Sequence, residues 1–209
     1  MLKIETREVG PYAMNTIIAW CDETREAIWF DPGAETEYLL RWITARDLKV
    51  IRIVNTHGHV DHIAENGLAK AALNVPLCIH PLDRPKLTNP ILNLSSWTGT
   101  EVVSPDADET LVEGDTLRCG NIEFALYHVP GHSPGSLVFY AEGQLIAGDT
   151  VFYESVGRSD FPDASERQLY DAIRAKIYTL PDATIIYPGH GEPTTVGHEK
   201  LHNPFVRAS

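Results

Sequence analysis

The run Thr56-His57-Gly58-His59-Val60-Asp61-His62 constrains this chain more than any other feature. Three histidines and an aspartate fall within it, directly after the apolar, β-branched stretch Val50, Ile51, Ile53 and Val54. Imidazole and carboxylate are ligands of borderline divalent metals such as zinc. A solvated loop has no use for them at this density. The fold must therefore bring a buried strand to an end where four polar ligands leave it together.

Three later segments repeat the arrangement. Phe124–Val129 runs into Pro130-Gly131-His132-Ser133-Pro134-Gly135, Leu145–Ala147 into Gly148-Asp149-Thr150, and Ile185–Tyr187 into Pro188-Gly189-His190-Gly191. In each, an apolar strand ends in a glycine-containing turn that presents one histidine or aspartate. Glycine permits sharp turning and close approach, and a rigid sheet behind a loop is a common platform for a site. The four strand ends supply His57, His59, Asp61, His62, His132, Asp149 and His190. Seven ligand-type side chains are too many for one tetrahedral zinc. They suit two divalent metals that share a carboxylate and keep positions open for water and substrate.

The remaining segments alternate between β and α character. Residues 2–9 are strand-like, and Met14–Trp20 with Ala27–Phe30 reads as a hairpin. Thr36–Arg46 spaces Leu39, Leu40 and Ile43 as a helix does. Ile63–Leu73 reads as one alanine-rich helix, stopped by Asn74-Val75-Pro76, before a short strand at Leu77–Ile79. Two hairpins follow, Asp115–Cys119 with Glu123–Val129 and Ser136–Ala141 with Gln144–Ala147. Ser165–Thr179 is helical, Thr184–Tyr187 a buried strand, and Thr194–Phe205 a short helix with an extended end. Residues 81–110 lack a period, so they form a functional loop or contain short helices.

Bulk properties narrow the partners. A chain of 209 residues suffices for one domain with a substantial core. The 17 Lys and Arg against 29 Asp and Glu leave a net charge of −12. That charge argues against a nucleic-acid partner, which needs a basic footprint, and against an anionic membrane surface. Cys21, Cys78 and Cys119 are widely spaced and read as buried free thiols of a reducing compartment. The first ten residues lack a secretory apolar core, and no stretch approaches the ~20 apolar residues of a membrane span. The expectation is a cytoplasmic protein, a monomer or small homo-oligomer.

The ordered set H-x-H-x-D-H, G-H-S, G-D and G-H-G covers nearly the whole chain and resembles the metallo-β-lactamase superfamily. The resemblance implies an α+β fold: a four-layer αββα sandwich, two mixed β-sheets flanked by helices, in one domain over residues 1–209. Position by position it implies one metal at His57, His59 and His132, another at Asp61, His62 and His190, and Asp149 as the bridge. Zinc is the implied ion, with iron and manganese as alternatives. Lactam-hydrolysing members mostly carry Cys or Ser where Asp149 stands, which points to the glyoxalase II-like branch. Gly157-Arg158-Ser159-Asp160-Phe161 resembles a stretch shared by short glyoxalase II-like hydrolases and persulfide dioxygenases, and the segment Pro188–Phe205 looks like the hydrolase group. Full-length glyoxalase II enzymes add a C-terminal helical domain that helps hold glutathione. This chain ends at Ser209, so the expectation is that no such domain follows and that glutathione recognition is loosened.

The implied reaction is hydrolysis of a small-molecule thioester, such as S-lactoylglutathione, by a metal-bound bridging hydroxide that Asp61 orients. Arg158 is a candidate for a substrate carboxylate, with an ion pair to Asp160 or Asp163 as the alternative. Tyr153, Phe152 and Phe161 are candidates for pocket walls, with core packing as the alternative. A rival chemistry stays open: His57, His132 and Asp149 make a 2-His-1-carboxylate set of the kind that holds non-haem iron, as in a persulfide dioxygenase. Lactone or other ester hydrolysis is a third reading. His80, His128, His198 and His202 receive no site role. Asp31 is read as a turn aspartate in preference to a support for the site.

Overall fold

The computed structural model describes residues 1–207, and its two large sheets follow from period-2 patterning of the strands. Leu2–Val9 (β1) pairs antiparallel with Met14–Cys21 (β2), which pairs antiparallel with Glu26–Phe30 (β3). Thr36–Thr44 (α1) crosses over to Lys49–Val54 (β4), parallel to β3. Val60–Ile63 (α2) and Asn66–Leu73 (α3) cross to Leu77–Ile79 (β5), parallel to β4. The aperiodic segment holds short elements: Arg84–Leu87 (α4), a 3-10 turn at Ser95–Trp97, and Glu109–Thr110 (β6), which pairs with β5.

The second sheet begins with successive antiparallel strands Thr116–Cys119 (β7), Ile122–His128 (β8), Leu137–Ala141 (β9) and Gln144–Gly148 (β10). A small ribbon, Val151–Phe152 (β11) with Ser155–Val156 (β12), precedes Glu166–Ala172 (α5). Ile185–Pro188 (β13) returns parallel to β10, pairs with Thr194–Thr195 (β14), and leads to Val196–His202 (α6). The strand orders are β1-β2-β3-β4-β5-β6 and β14-β13-β10-β9-β8-β7. Both sheets are mixed.

Side-chain alternation sorts the core into three apolar layers. Ile17, Ala19, Ile28, Phe30 and Val54 of the first sheet meet Phe124, Leu126, Phe139 and Ile146 of the second. Phe30 anchors this interface, with ring centroids 5.0 Å from Phe139 and 6.2 Å from Phe124. The opposite faces carry Trp29, Ile53 and Leu77 against Leu39, Trp42 and Ile43 of α1, and Val138, Leu145 and Ile186 against Leu169, Ile173 and Val196. Helix, sheet, sheet, helix: this is the αββα sandwich that the resemblance implies. Cys21, Cys78 and Cys119 are buried and free. Among the described residues no helix is long and apolar enough to cross a membrane.

Two helices depart from the sequence reading. The predicted helix Ile63–Leu73 starts earlier, at Val60, and breaks before Asn66. Glu65 N–H donates to the Pro32 carbonyl (3.0 Å) instead of continuing the helical ladder. The same two loops pack closely beside the break: a Cβ on Gly33 would lie 1.6 Å from the Asp61 carbonyl oxygen. The predicted helix Ser165–Thr179 is capped by the Ser165 hydroxyl, then widens into a π-helical turn over Ile173–Ile177, with Tyr178 N–H bonded to the Ile173 carbonyl.

Candidate metal centre

The four glycine-turned strand ends, after β4, β8, β10 and β13, bring their side chains to one place. Nε2 of His132 lies 2.9 Å from Nδ1 of His59 and 3.1 Å from Nε2 of His57. Asp149 Oδ1 is 3.4 Å from His62 Nε2, and its Oδ2 is 3.5 Å from Nε2 of both His132 and His190. Asp61 Oδ2 is 3.2 Å from His190 Nε2 and 3.7 Å from His62 Nε2. Three overlapping sets result, each with ligand atoms within 4.8 Å of one another: His57/His59/His132, His57/His62/Asp149 and Asp61/His62/His190. All seven candidate ligands are in this one cluster.

The imidazoles are aimed by bonds at their far nitrogens, the arrangement that fixes tautomer and ring direction around metals. His132 Nδ1–H donates to the Arg158 carbonyl (2.7 Å) and His190 Nδ1 faces the Ala13 carbonyl (3.3 Å). His62 Nδ1 contacts Asp31 Oδ2 at 2.9 Å. Asp31 also accepts from the Thr56 backbone N–H (2.8 Å) and hydroxyl (2.7 Å), and that hydroxyl is 3.1 Å from His57 Nδ1. Reading Asp31 as a turn aspartate is thus corrected: one buried carboxylate orients His62 directly and His57 through Thr56.

Other buried groups position the loops. Asp83 accepts from Gly58 N–H (2.8 Å), Ser133 Oγ–H (2.5 Å) and Gly135 N–H (2.7 Å), so it ties the His57–His62 loop to the His132 loop. Asn15 Nδ2 donates to the carbonyls of Pro188 (3.1 Å) and Gly191 (2.8 Å), holding the His190 turn. Gly189 admits no side chain, because a Cβ there would lie 2.1 Å from Asp149 Oδ1. Sequence reasoning missed Asp83 and Asn15. Asn15 had a signal, a lone amide in an apolar strand; Asp83 had none.

Electrostatics divide the cluster. Burial, then the neighbouring histidines His62, His59 and His132, hold His57 well below its ordinary value, and burial with His132 does the same to His59. Burial also opposes charge on His62, but Asp61, Asp149 and Asp31 outweigh it and hold His62 well above. Burial would raise Asp61, yet His62 and His190 bring it down to about 2.

The cluster fits divalent ions. Nε2 of His62 and Oδ1 of Asp149 face the cluster and are buried without a hydrogen-bond partner. Such burial costs roughly 1–3 kcal/mol per group, and a cation accepted by His62 and Asp149 would offset it. The donors are imidazole nitrogen and carboxylate oxygen, the set that suits borderline divalent metals.

A cleft of about 390 Å³ opens on the cluster, walled by Tyr12, Leu94, Trp97, Phe152 and Phe161. Arg158 is the one Lys or Arg on its lining among the described residues. It is paired with Asp160, Nε and Nη2 each 2.9 Å from a carboxylate oxygen, and lies 4.6 Å over the Phe161 ring. Tyr153, expected beside the substrate, is instead stacked on His198 at 4.9 Å and stays off the cleft. Successive side chains at the end of β11 leave on opposite sides, and Phe152 takes the inward one. His80 and His128 lie outside the cluster, stacked on each other at 4.3 Å.

The family model described as the metallo-beta-lactamase superfamily matches residues 10–190. An uncharacterised protein of Aquifex aeolicus is 39% identical, covering 97% of this chain and 96% of its own. Hydroxyacylglutathione hydrolase GloC of Haemophilus influenzae is 33% identical, covering 99% of each. Among solved structures, BLEG-1 B3 metallo-beta-lactamase superposes with a TM-score of 0.93 at 36% identity, covering 98% of this chain and 99% of its own. TTHA1623 in a di-iron-bound form gives 0.85 at 34%, covering 97% and 100%.

Proposed function

The chain belongs to the metallo-β-lactamase superfamily, and on that premise we propose that it is a two-metal hydrolase of small-molecule thioesters. The observation that carries the reading is the position of Asp149. Its two oxygens face His62, His132 and His190, between the set His57/His59/His132 and the set Asp61/His62/His190. One carboxylate between two ligand sets is what two ions sharing a bridge require. A relative 33% identical over its whole length, a hydroxyacylglutathione hydrolase, supports the choice of a thioester.

Two divalent ions held there, zinc or iron, supply Lewis acidity and a water acidic enough to react near neutral pH. The chain's own side chains do the rest. Asp61, half-open to the cleft beside His190, orients the attacking water through its carboxylate. Asp31, the Arg158 carbonyl and the Ala13 carbonyl keep the imidazoles from turning. Phe152, Phe161 and Trp97 exclude bulk water from the reacting carbonyl. Arg158 swings from Asp160 to a carboxylate on the thiol portion of the substrate; both partners are largely exposed, so the exchange is cheap.

The test is metal quantification and S-lactoylglutathione hydrolysis on one natively purified sample. Two equivalents of metal with turnover are expected; a fully loaded protein without turnover on any thioester overturns the reading. The likeness to a B3 metallo-beta-lactamase favours lactam hydrolysis as a second reading, so the same sample is offered a β-lactam. Oxygen uptake with glutathione persulfide and one iron per chain would select the dioxygenase chemistry instead.

A further inference from the structure

A second cavity, of about 260 Å³, adjoins the cleft. The two share Tyr12, Val60, Asp61 and Thr98 as lining, so they lie side by side around a bend at Asp61. Beyond the bend the walls are Pro11, Met14, Ala34, Ala64 and Val102, and among the described residues Asp61 is the one charged residue on them. The main cleft is different: it carries His59, His132, His190, Asp149 and Arg158.

Resting on the thioester reading, we propose that this side cavity is the acyl pocket and that it selects an uncharged aliphatic acyl chain of roughly four to six carbons. Three arguments converge. A cavity of ~150 Å³ is enough to take benzene, so this one admits a six-carbon chain but not a peptide-sized or nucleotide-sized thiol. Biological thiol carriers are large and polar and need the open cleft with its arginine. The side cavity's lining offers no Lys, Arg or His to a carboxylate among the described residues, so a charged acyl group would be left unpaired there while an alkyl chain is not. The reacting carbonyl then sits at the bend, against the cluster, with its two substituents leaving in opposite directions.

The backbone allows a direct test. Ala64 has helical dihedrals (φ −61, ψ −30), so a larger side chain there is free of backbone strain. Ala64→Phe fills the pocket from one wall and Val102→Trp from the other. Full-length, metal-loaded protein is titrated calorimetrically with two ketones in which methylene replaces the thioester sulfur, one acetyl and one hexanoyl, on the same polar arm. Burying one methylene is worth roughly fourfold in affinity, so the hexanoyl ketone should bind at least about tenfold tighter than the acetyl one. In both variants the preference should fall below about twofold, with circular dichroism and metal content confirming folded, loaded protein. The matching thioesters should follow the same order in kcat/KM. A wild-type ratio near one, or a preference that survives both substitutions, overturns the pocket. A chain-length preference in binding without turnover of either thioester upholds the pocket and removes the thioesterase reading instead.

Discussion

Two groups of histidines share this sandwich and are used in opposite ways. His57, His59, His62, His132 and His190 converge on Asp61 and Asp149, with ring nitrogens left buried and unpartnered. His80 and His128 stack face to face, 11° from parallel, and are satisfied locally: His128 Nε2–H donates to the Pro134 carbonyl (2.7 Å) and His80 Nδ1 accepts from Leu82 N–H (3.2 Å). Both groups sit at or just after strand ends, and both are rich in the same ligand-type ring. What separates them is the company. Carboxylates surround the first group and hold His62 well above its ordinary value, whereas burial and His128 bring His80 down to about 4. Histidine density alone does not make a metal centre; unpaired nitrogens converging on a shared carboxylate do.

Substitutions at four positions probe that contrast. The largest effect belongs to Asp149→Ala, which removes the carboxylate that faces three imidazoles. Metal content should fall below one equivalent and hydrolysis by more than the ~10–100-fold typical of outer partners; a protein that keeps its metal and rate would make Asp149 a bystander. Asp83→Ala comes next. It strands three donors from two ligand loops, each worth about 1–3 kcal/mol, so urea unfolding should report a loss of roughly 3 kcal/mol or more. An unchanged midpoint would mean the loops hold without it. Asp31→Ala should weaken metal binding by ~10–100-fold in a chelator competition, through rotation of His62. Asp31→Asn, which keeps one acceptor for Thr56, should recover part of that.

The smallest effect lies in the other group. An unfolded histidine titrates near 6.5 and folded His80 near 4. Between these values the unfolded chain binds a proton that the folded chain refuses, so His80 makes stability fall as pH drops from about 6.5 towards 4. His80→Phe keeps a stacking surface and should flatten that slope in pH-dependent denaturation, with metal content at neutral pH untouched. Equal slopes for the two proteins would show that His80 does not titrate as a buried, neutral ring.

The layers were legible because strand alternation and helical spacing are local: Ile28 and Phe30 against Ala27 and Trp29 declare two faces of β3 in five residues. The seven clustered side chains were legible for a similar reason, each following a strand by a few residues. What supports them was not. Asp83 is 25 residues from Gly58, Asp31 is 31 from His62, and Asn15 is 173 from Pro188. No local pattern announces such approaches. The same limit explains Tyr153: composition suggests an aromatic wall, but only the course of the β11–β12 ribbon decides which of two adjacent aromatics forms it.

The cluster draws on both sheets. Asp31, His57, His59, Asp61 and His62 follow strands of the first, and His132, Asp149 and His190 follow strands of the second. Ions seated between them would act as a fastener across the seam, since anything that binds only the assembled protein stabilises it by about 2.7 kcal/mol at a hundred times its dissociation constant. With metal bound there, the lifetime of this protein in a cell would depend in part on the supply of free metal. Starvation for the ion would lower its abundance as well as its activity, because an unfastened sandwich is the form that opens to proteases.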